Sequence, residues 1–166
     1  RQNRYNISGD IFGNAKLTTF HAYSFTIPPV AIGEIGVNYR GRILYVPGDR
    51  AYSEWNLTIL DDSAGAGGRI YHGFQDWQNN INDHVENTSK TGLNAERKRW
   101  TVSQLDVDGT TILKHMILNG CWPVSVGGIE LSAGKRDSLV TFDVRMRYDY
   151  LEYEPGAGTA PPLGGD

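Results

Sequence analysis

A single cysteine, Cys121, is present in a chain of 166 residues, so no intrachain disulfide can form and a reducing compartment is expected. An excess of one charge is lacking too. Sixteen Lys and Arg against nineteen Asp and Glu leave a formal net charge of −3, which excludes a strongly basic nucleic-acid binder, because tight phosphate contact needs clustered cations. No apolar run approaches the ~18 residues that a membrane helix requires, and no charged-then-apolar leader opens the sequence. A soluble protein without a membrane partner is expected. The first residue is Arg1 instead of methionine, as expected of a processed or trimmed product.

Reactive constellations are equally scarce. Gly134-Lys135 follows Gly128 at six positions where a phosphate loop has five, and Arg136 stands where Ser or Thr would hold magnesium. His21, His72, His84 and His115 are scattered. His72 and Asp76 share helical i,i+4 spacing but lack a third ligand. Asp61 and Asp62 are adjacent at a strand end and would point to opposite faces, so they do not form an acid/base couple. No cofactor, metal or enzymatic activity is expected. Three Asn-x-Ser/Thr triplets, beginning at Asn6, Asn56 and Asn87, are common by chance.

What is abundant is turn and strand chemistry: twenty glycines and nine tyrosines favour a mainly β plan. Residues 6–11 and 17–25 flank a Gly-Asn-Ala-Lys turn and read as a first hairpin, closed by Pro28-Pro29. A second hairpin is read with residues 36–46 as one arm and 54–59 as the other. Val37, Tyr39, Ile43 and Tyr45 are assigned to one face, as are Trp55, Leu57 and Ile59 in the second arm. Ile70, Phe74, Trp77, Ile81 and Val85 recur at spacings of four and three, which predicts one amphipathic helix over 69–87. Residues 90–99 read as a charged loop whose cations, Arg97, Lys98 and Arg99, could meet an acidic neighbour. Residues 101–107 and 111–118 flank Asp108-Gly109, a strong hairpin signal. Gly120 to Gly127 reads as a turn built on Trp122-Pro123, with a short strand around 129–131. Val140 to Tyr150 alternates strictly, with Thr141, Asp143, Arg145, Arg147 and Asp149 on the polar face. Trp55, Phe74, Trp77, Trp122 and Pro123 are assigned to core or turn packing. Residues 1–154 are taken as one domain, able to remove roughly 70% of its unfolded-chain surface from water. Residues 155–166 are taken as a Gly/Pro-rich tail.

Several stretches in one order carry a resemblance: Pro28-Pro29-Val30-Ala31, then Ile35 to Ile43, then Gly48-Asp49-Arg50 leading to the Trp55 strand, then Phe74-Gln75-Asp76-Trp77-Gln78, Gly120-Cys121-Trp122-Pro123, and a last strand ending Asp149-Tyr150. Together they resemble the tail tube proteins of contractile-tailed, T-even-like bacteriophages, within the wider superfamily of injection-system tubes. The resemblance implies an antiparallel β-sandwich or partial barrel with one packed amphipathic helix. It implies a structural virion protein whose hexameric rings stack helically into the inner tube, the conduit for genome ejection, assembled in the host cytoplasm. It further implies partners: other copies of itself, the tail sheath protein, baseplate and tail-terminator proteins, and a tape measure protein and DNA that pass through without specific binding. By position, Gly48, Asp49 and Arg50 would lie at a hairpin tip and meet the next ring, while Asn56, Thr58, Thr141, Asp143, Arg145 and Arg147 would face the lumen. The alternatives are the inner tube of a bacteriocin, type VI or related contractile injection system and, more remotely, a monomeric carbohydrate-binding β-sandwich.

Overall fold

Alternation of apolar and polar residues dictates strands, and the computed structural model is mainly antiparallel β with one helix. It describes residues 5–11, 16–17, 19, 21–61, 69–89, 92, 96–108, 110–129 and 139–155. In chain order the elements are β1 (Tyr5–Asp10), β2 (Lys16–Leu17), β3 (Ala22–Phe25), β4 (Val30–Tyr39), β5 (Arg42–Tyr52), β6 (Trp55–Leu60), α1 (Arg69–Ile81), β7 (Lys98–Leu105), β8 (Ile112–Val126), β9 (Thr141–Arg147) and β10 (Tyr150–Pro155). Strands pair in the order β2-β1-β7-β8-β9-β6-β3, with β10 also on β8, while β4 and β5 pair only with each other.

The long strand β8 serves two half-sheets. Its first half lies between β7 and β10; beyond Cys121, the last residue opposite β7, it pairs with β9 from Trp122 onward. The change of partner follows Gly120, whose φ of 72° belongs to the left-handed region. A Cβ on Gly120 would run into the carboxylate of Asp149, which is ion-paired to Arg97 at 2.6 Å. The Asp149 amide donates to the Asn119 carbonyl at 2.9 Å, so the same corner also turns the chain from β9 into β10.

Between the half-sheets lies an aromatic core. Trp55 from one half meets Trp100 from the other edge-on, with ring centroids 5.6 Å apart, and α1 contributes Phe74 and Trp77. Phe74 contacts both Trp100 and Phe142, and the Trp77 indole donates to the Glu96 carbonyl at 2.7 Å. Each large apolar side chain so buried contributes about 1.5–3 kcal/mol. Cys121 sits in this core with its Sγ donating to the Leu118 carbonyl. Burial, reinforced by the negative charge of Asp149, pushes its thiol up to about 12.

Several expectations are corrected. The first hairpin survives only as the short β1–β2 pairing; β3 instead pairs with β6 across the molecule. The second hairpin is β4–β5, turning at Arg40-Gly41, where both residues have positive φ as a two-residue primed turn demands. Because Tyr39 pairs with Arg42 and Val37 with Leu44, Ile43 and Tyr45 share a face with Gly36 and Asn38, not with Val37 and Tyr39. The Trp122-Pro123 segment is strand, not turn: proline is accommodated at a register shift between Pro123 and Ser125, where no ladder donor is needed.

The last strand is two. Phe142, Val144, Met146 and Tyr148 are buried as expected, but Val140, just before β9 begins, is exposed, and so is Tyr150, beyond the point at Tyr148-Asp149 where the chain leaves one half-sheet for the other. The helix ends at Ile81, short of Asn87, and Val85 is exposed. The Asn79 side chain accepts from the His84 amide and the Asp83 carboxylate from the Val85 and Glu86 amides, so short polar side chains replace the helical ladder. The charged loop is also shorter than expected, since Lys98 and Arg99 already belong to β7. The Asp108 turn joins β7 to β8 as expected: its carboxylate accepts from the Thr110 and Thr111 amides, and these bonds, led by that from the Thr111 hydroxyl, hold it well below the usual carboxylate range. Gly109, residues 130–138, where part of a short strand was expected, and residues 156–166 of the tail lie outside the described residues.

Two outcomes follow. Gly120→Ala should lose about 1–3 kcal/mol, read as a Tm lower by roughly 2–10 °C, because it adds both left-handed strain and a clash with Asp149. The native protein at pH 8 should resist a maleimide at Cys121, whereas the denatured chain should take up one equivalent, counted by mass spectrometry.

Candidate functional site

Two surfaces stand out. The first is the outer face of the half-sheet formed by β3, β6, β9 and the second half of β8. Trp55, Leu57 and Ile59 of β6 and Phe142, Val144 and Met146 of β9 point into the core, so the period of two sends the intervening residues to solvent. Cross-strand register places Asn56 opposite Arg145, Thr58 opposite Asp143 and Leu60 opposite Thr141. The sequence-selected set of Asn56, Thr58, Thr141, Asp143, Arg145 and Arg147 therefore shares one face, with Thr58 and Thr141 half-buried and the rest exposed. An open depression of about 470 Å³ runs along it, bordered also by Ser24, Thr26 and Ser125.

Polar groups on this face are tied to each other. The Thr58 hydroxyl donates to Asp143 Oδ1 at 2.7 Å. Glu54 engages both arginines of β9: its Oε1 accepts from Arg147 Nη2 at 2.9 Å, and its Oε2 lies 3.5 Å from Arg145 Nη1. Glu54 was not singled out by the sequence. Its parity with Asn56 and Thr58 was available, but its partner lies 93 positions away, and no local pattern predicts that pairing.

The second surface is the β4–β5 hairpin. Val30 and Tyr52 at its base pack on the core, and the Tyr52 ring meets Tyr148 at 5.6 Å. Beyond them it is exposed on both sides. Ile35, Val37 and Tyr39 line up with Val46 and Leu44 on one face, and Ile43 and Tyr45 lie on the other, Tyr45 being 64% exposed. Arg40 stacks over the Tyr39 ring at the tip, 5.4 Å from its centroid.

Gly48, Asp49 and Arg50 are not at that tip. They sit within β5, where Gly33 faces the Gly48-Asp49 pair and the register shifts by one residue. A Cβ on Gly48 would stand 3.1 Å from the Gly33 carbonyl oxygen, so the two glycines permit a close backbone approach and a bulge that bends the ribbon. The packing assignments stand as follows: Trp55, Phe74 and Trp77 are fully buried, Pro123 is buried, and Trp122 is half-buried against the core.

One row of residues has the composition of a hydrolytic triad. Ser103 Oγ lies 2.8 Å from His115 Nδ1, and His115 Nε2 lies 3.8 Å from Glu154. These are directly opposed positions on three neighbouring strands, and Ser103 is buried, so the row is cross-strand pairing without a reachable nucleophile.

Residues 10–154 match the family described as phage tail tube protein. The chain is 30% identical over 135 residues to tail tube protein gp19 of Enterobacteria phage T4, covering 81% of this chain and 80% of that protein. It is 28% identical over 127 residues to a tail tube protein of Serratia phage KSP90, covering 76% and 70%. Among solved structures, the fold is similar to a sheath/tube terminator of the PVC extracellular contractile injection system, with a TM-score of 0.66 at 17% identity over 91% of this chain and 93% of that one. It is also similar to a chain of the anti-feeding prophage baseplate, with a TM-score of 0.65 at 12% identity over 92% and 93%. The β-sandwich with one packed helix, the exposed polar sheet face and the sequence match agree: this chain belongs to the phage tail tube protein family, as a structural, non-enzymatic component of the virion tail.

Proposed function

We propose that copies of this chain join into hexameric rings, that the rings stack helically into the inner tube of a contractile phage tail, and that the polar face of β6 and β9 lines the channel through which the genome leaves. The observation that carries this reading is the four-stranded half-sheet with one dry and one wet face and an unpaired edge at each end among the described residues. At one end β3 has β6 as its only strand partner; at the other, residues 122–126 of β8 pair only with β9. Joining such edges around a ring satisfies their backbone groups. A closed barrel of about twenty-four strands is too wide for side chains to fill, so an open channel results.

The hairpin supplies the other contact. A two-stranded ribbon with apolar residues on both faces is marginal alone in water, and the coverage it lacks is supplied by another copy of the chain in the neighbouring ring. In this reading Gly48, Asp49 and Arg50 act within that contact by bending the ribbon. The phage tail is favoured over other injection devices because the relatives at 28–30% identity are phage tail proteins, whereas the likeness to injection-system chains is one of fold. The sheath, baseplate, terminator and tape measure proteins are the further partners of this reading, and the host cytoplasm is the place of assembly.

Asn56→Cys tests the channel, since Cys121 is buried. In assembled tubes a small maleimide should label Cys at position 56 while a maleimide on a large dextran should not. Equal labelling by both would place this face outside and refute the reading. Leu44→Asp combined with Val37→Asp tests the ribbon: the protein should keep its thermal transition yet yield no stacked tubes by electron microscopy. Tubes of unaltered length and diameter would refute the stacking role.

A further inference from the structure

We propose that Glu54 masks Arg145 and Arg147, so that these two guanidiniums present a compensated charge to a passing polyanion; the inference rests on the channel assignment above and adds a device to it. The two arginines lie two positions apart on β9, hence side by side on one face, and each is about half exposed. Left free, such a pair is a phosphate site, because a guanidinium offers parallel N–H donors matched to two oxygens. Glu54 stands immediately before β6 and gives one carboxylate oxygen to each arginine, at 2.9 and 3.5 Å. One carboxylate is thereby hydrogen-bonded to Arg147 and ion-paired with Arg145, and offsets charge on both. It is itself less exposed than either arginine, at 31%, so its charge faces the guanidiniums more than the solvent.

The remaining groups complete the balance. Among the described residues of β6, β9 and their flanks on this face, Asp143 is the other carboxylate and is held by the Thr58 hydroxyl. There, two carboxylates, Glu54 and Asp143, stand against two guanidiniums, Arg145 and Arg147. The other polar groups around the depression, Ser24, Thr26, Asn56 and Ser125, carry no charge. Neutrality matters more in a repeated structure than in a monomer. Phosphate contacts add in their counterion release, each contributing about 0.9 to the slope of log affinity against log salt. A single unmasked arginine per copy would recur around every ring and along every stack, and a polyanion bridging many of them would be retained through multivalency.

The test is binding of a short fluorescent DNA duplex, followed by anisotropy at rising salt, to wild-type protein, Glu54→Gln, and Glu54→Gln combined with Arg145→Gln and Arg147→Gln. Wild-type protein should bind weakly. Glu54→Gln should bind about tenfold more tightly at low salt and lose that gain as salt rises, and the triple variant should fall back to wild-type affinity. A folded Glu54→Gln protein that binds no better than wild type, with or without a lowered Tm, would overturn the proposal and leave Glu54 a structural ion-pair partner. Should that variant fail to fold, Glu54→Asp, too short to reach both guanidiniums, should show a smaller gain of the same salt dependence, and no gain would overturn the proposal. The labelling of position 56 keeps the two readings apart: an outside location refutes the channel, while an inside location without gained DNA binding refutes only the mask.

Discussion

Backbone pairing along β8 is the constraint on which the rest depends. This strand is hydrogen-bonded to β7 and β10 in its first half and to β9 in its second, so among the described residues it is the only strand shared by both half-sheets. The change of partner requires a bend, and the bend requires Gly120 in a left-handed conformation with the Asp149 carboxylate packed where a Cβ would be. Arg97 then fixes Asp149. A local backbone property therefore sets the relation between the aromatic core, which needs both halves to close on Trp55 and Trp100, and the polar face, which needs β9 in register with β6.

The polar face is a consequence of the core. Because Trp55, Leu57, Ile59, Phe142, Val144 and Met146 all point inward, the residues between them have nowhere to go but outward, and a shift of one position in either strand would exchange the two sets. Burial on one side thus specifies the chemistry of the other with no energetic demand on the polar residues themselves. Exposed ion pairs such as those of Glu54 add little stability. Their value lies in the potential they present, which is a property of function and not of folding.

Alternation alone makes much of this legible in the sequence. The dry and wet faces of β6 and β9 follow from period two, the start of α1 from its apolar stripe, and the Asp108 turn from its composition. Pairing was not legible. Nothing within Ala22–Phe25 says that its neighbour is β6 and not β1, since strand partners are chosen by packing over distances that no local window contains. The β4–β5 turn escaped notice because arginine rarely adopts positive φ, whereas Asn or Asp before glycine would have announced it. Gly120 and Pro123 misled in the opposite direction, since both punctuate chains, yet here they bend and offset a strand without ending it. The end of α1 was hidden because Asn79 and Asp83 fit the polar side of a helix as well as they cap loops.

Among the described residues, the two free edges of the wet half-sheet are short: β3 has four residues, and the second half of β8 is interrupted by a proline that has no amide to donate. The Tyr5 hydroxyl already bonds the Ala22 carbonyl, and Gln78 of α1 bonds the Val124 carbonyl. Such edges offer too few open positions to recruit arbitrary strands, which is how natural sheets avoid indiscriminate pairing. They remain sufficient when a second contact holds the partner in place. In the proposed tube the exposed hairpin supplies that contact by seating each copy on the neighbouring ring, beside the copy whose edge it pairs with, and two weak attachments made together bind far more tightly than either alone. On this argument, edge pairing and hairpin coverage are each inadequate by design of the sequence, so that a tube forms only where both can be made at once, on copies already arranged as a ring.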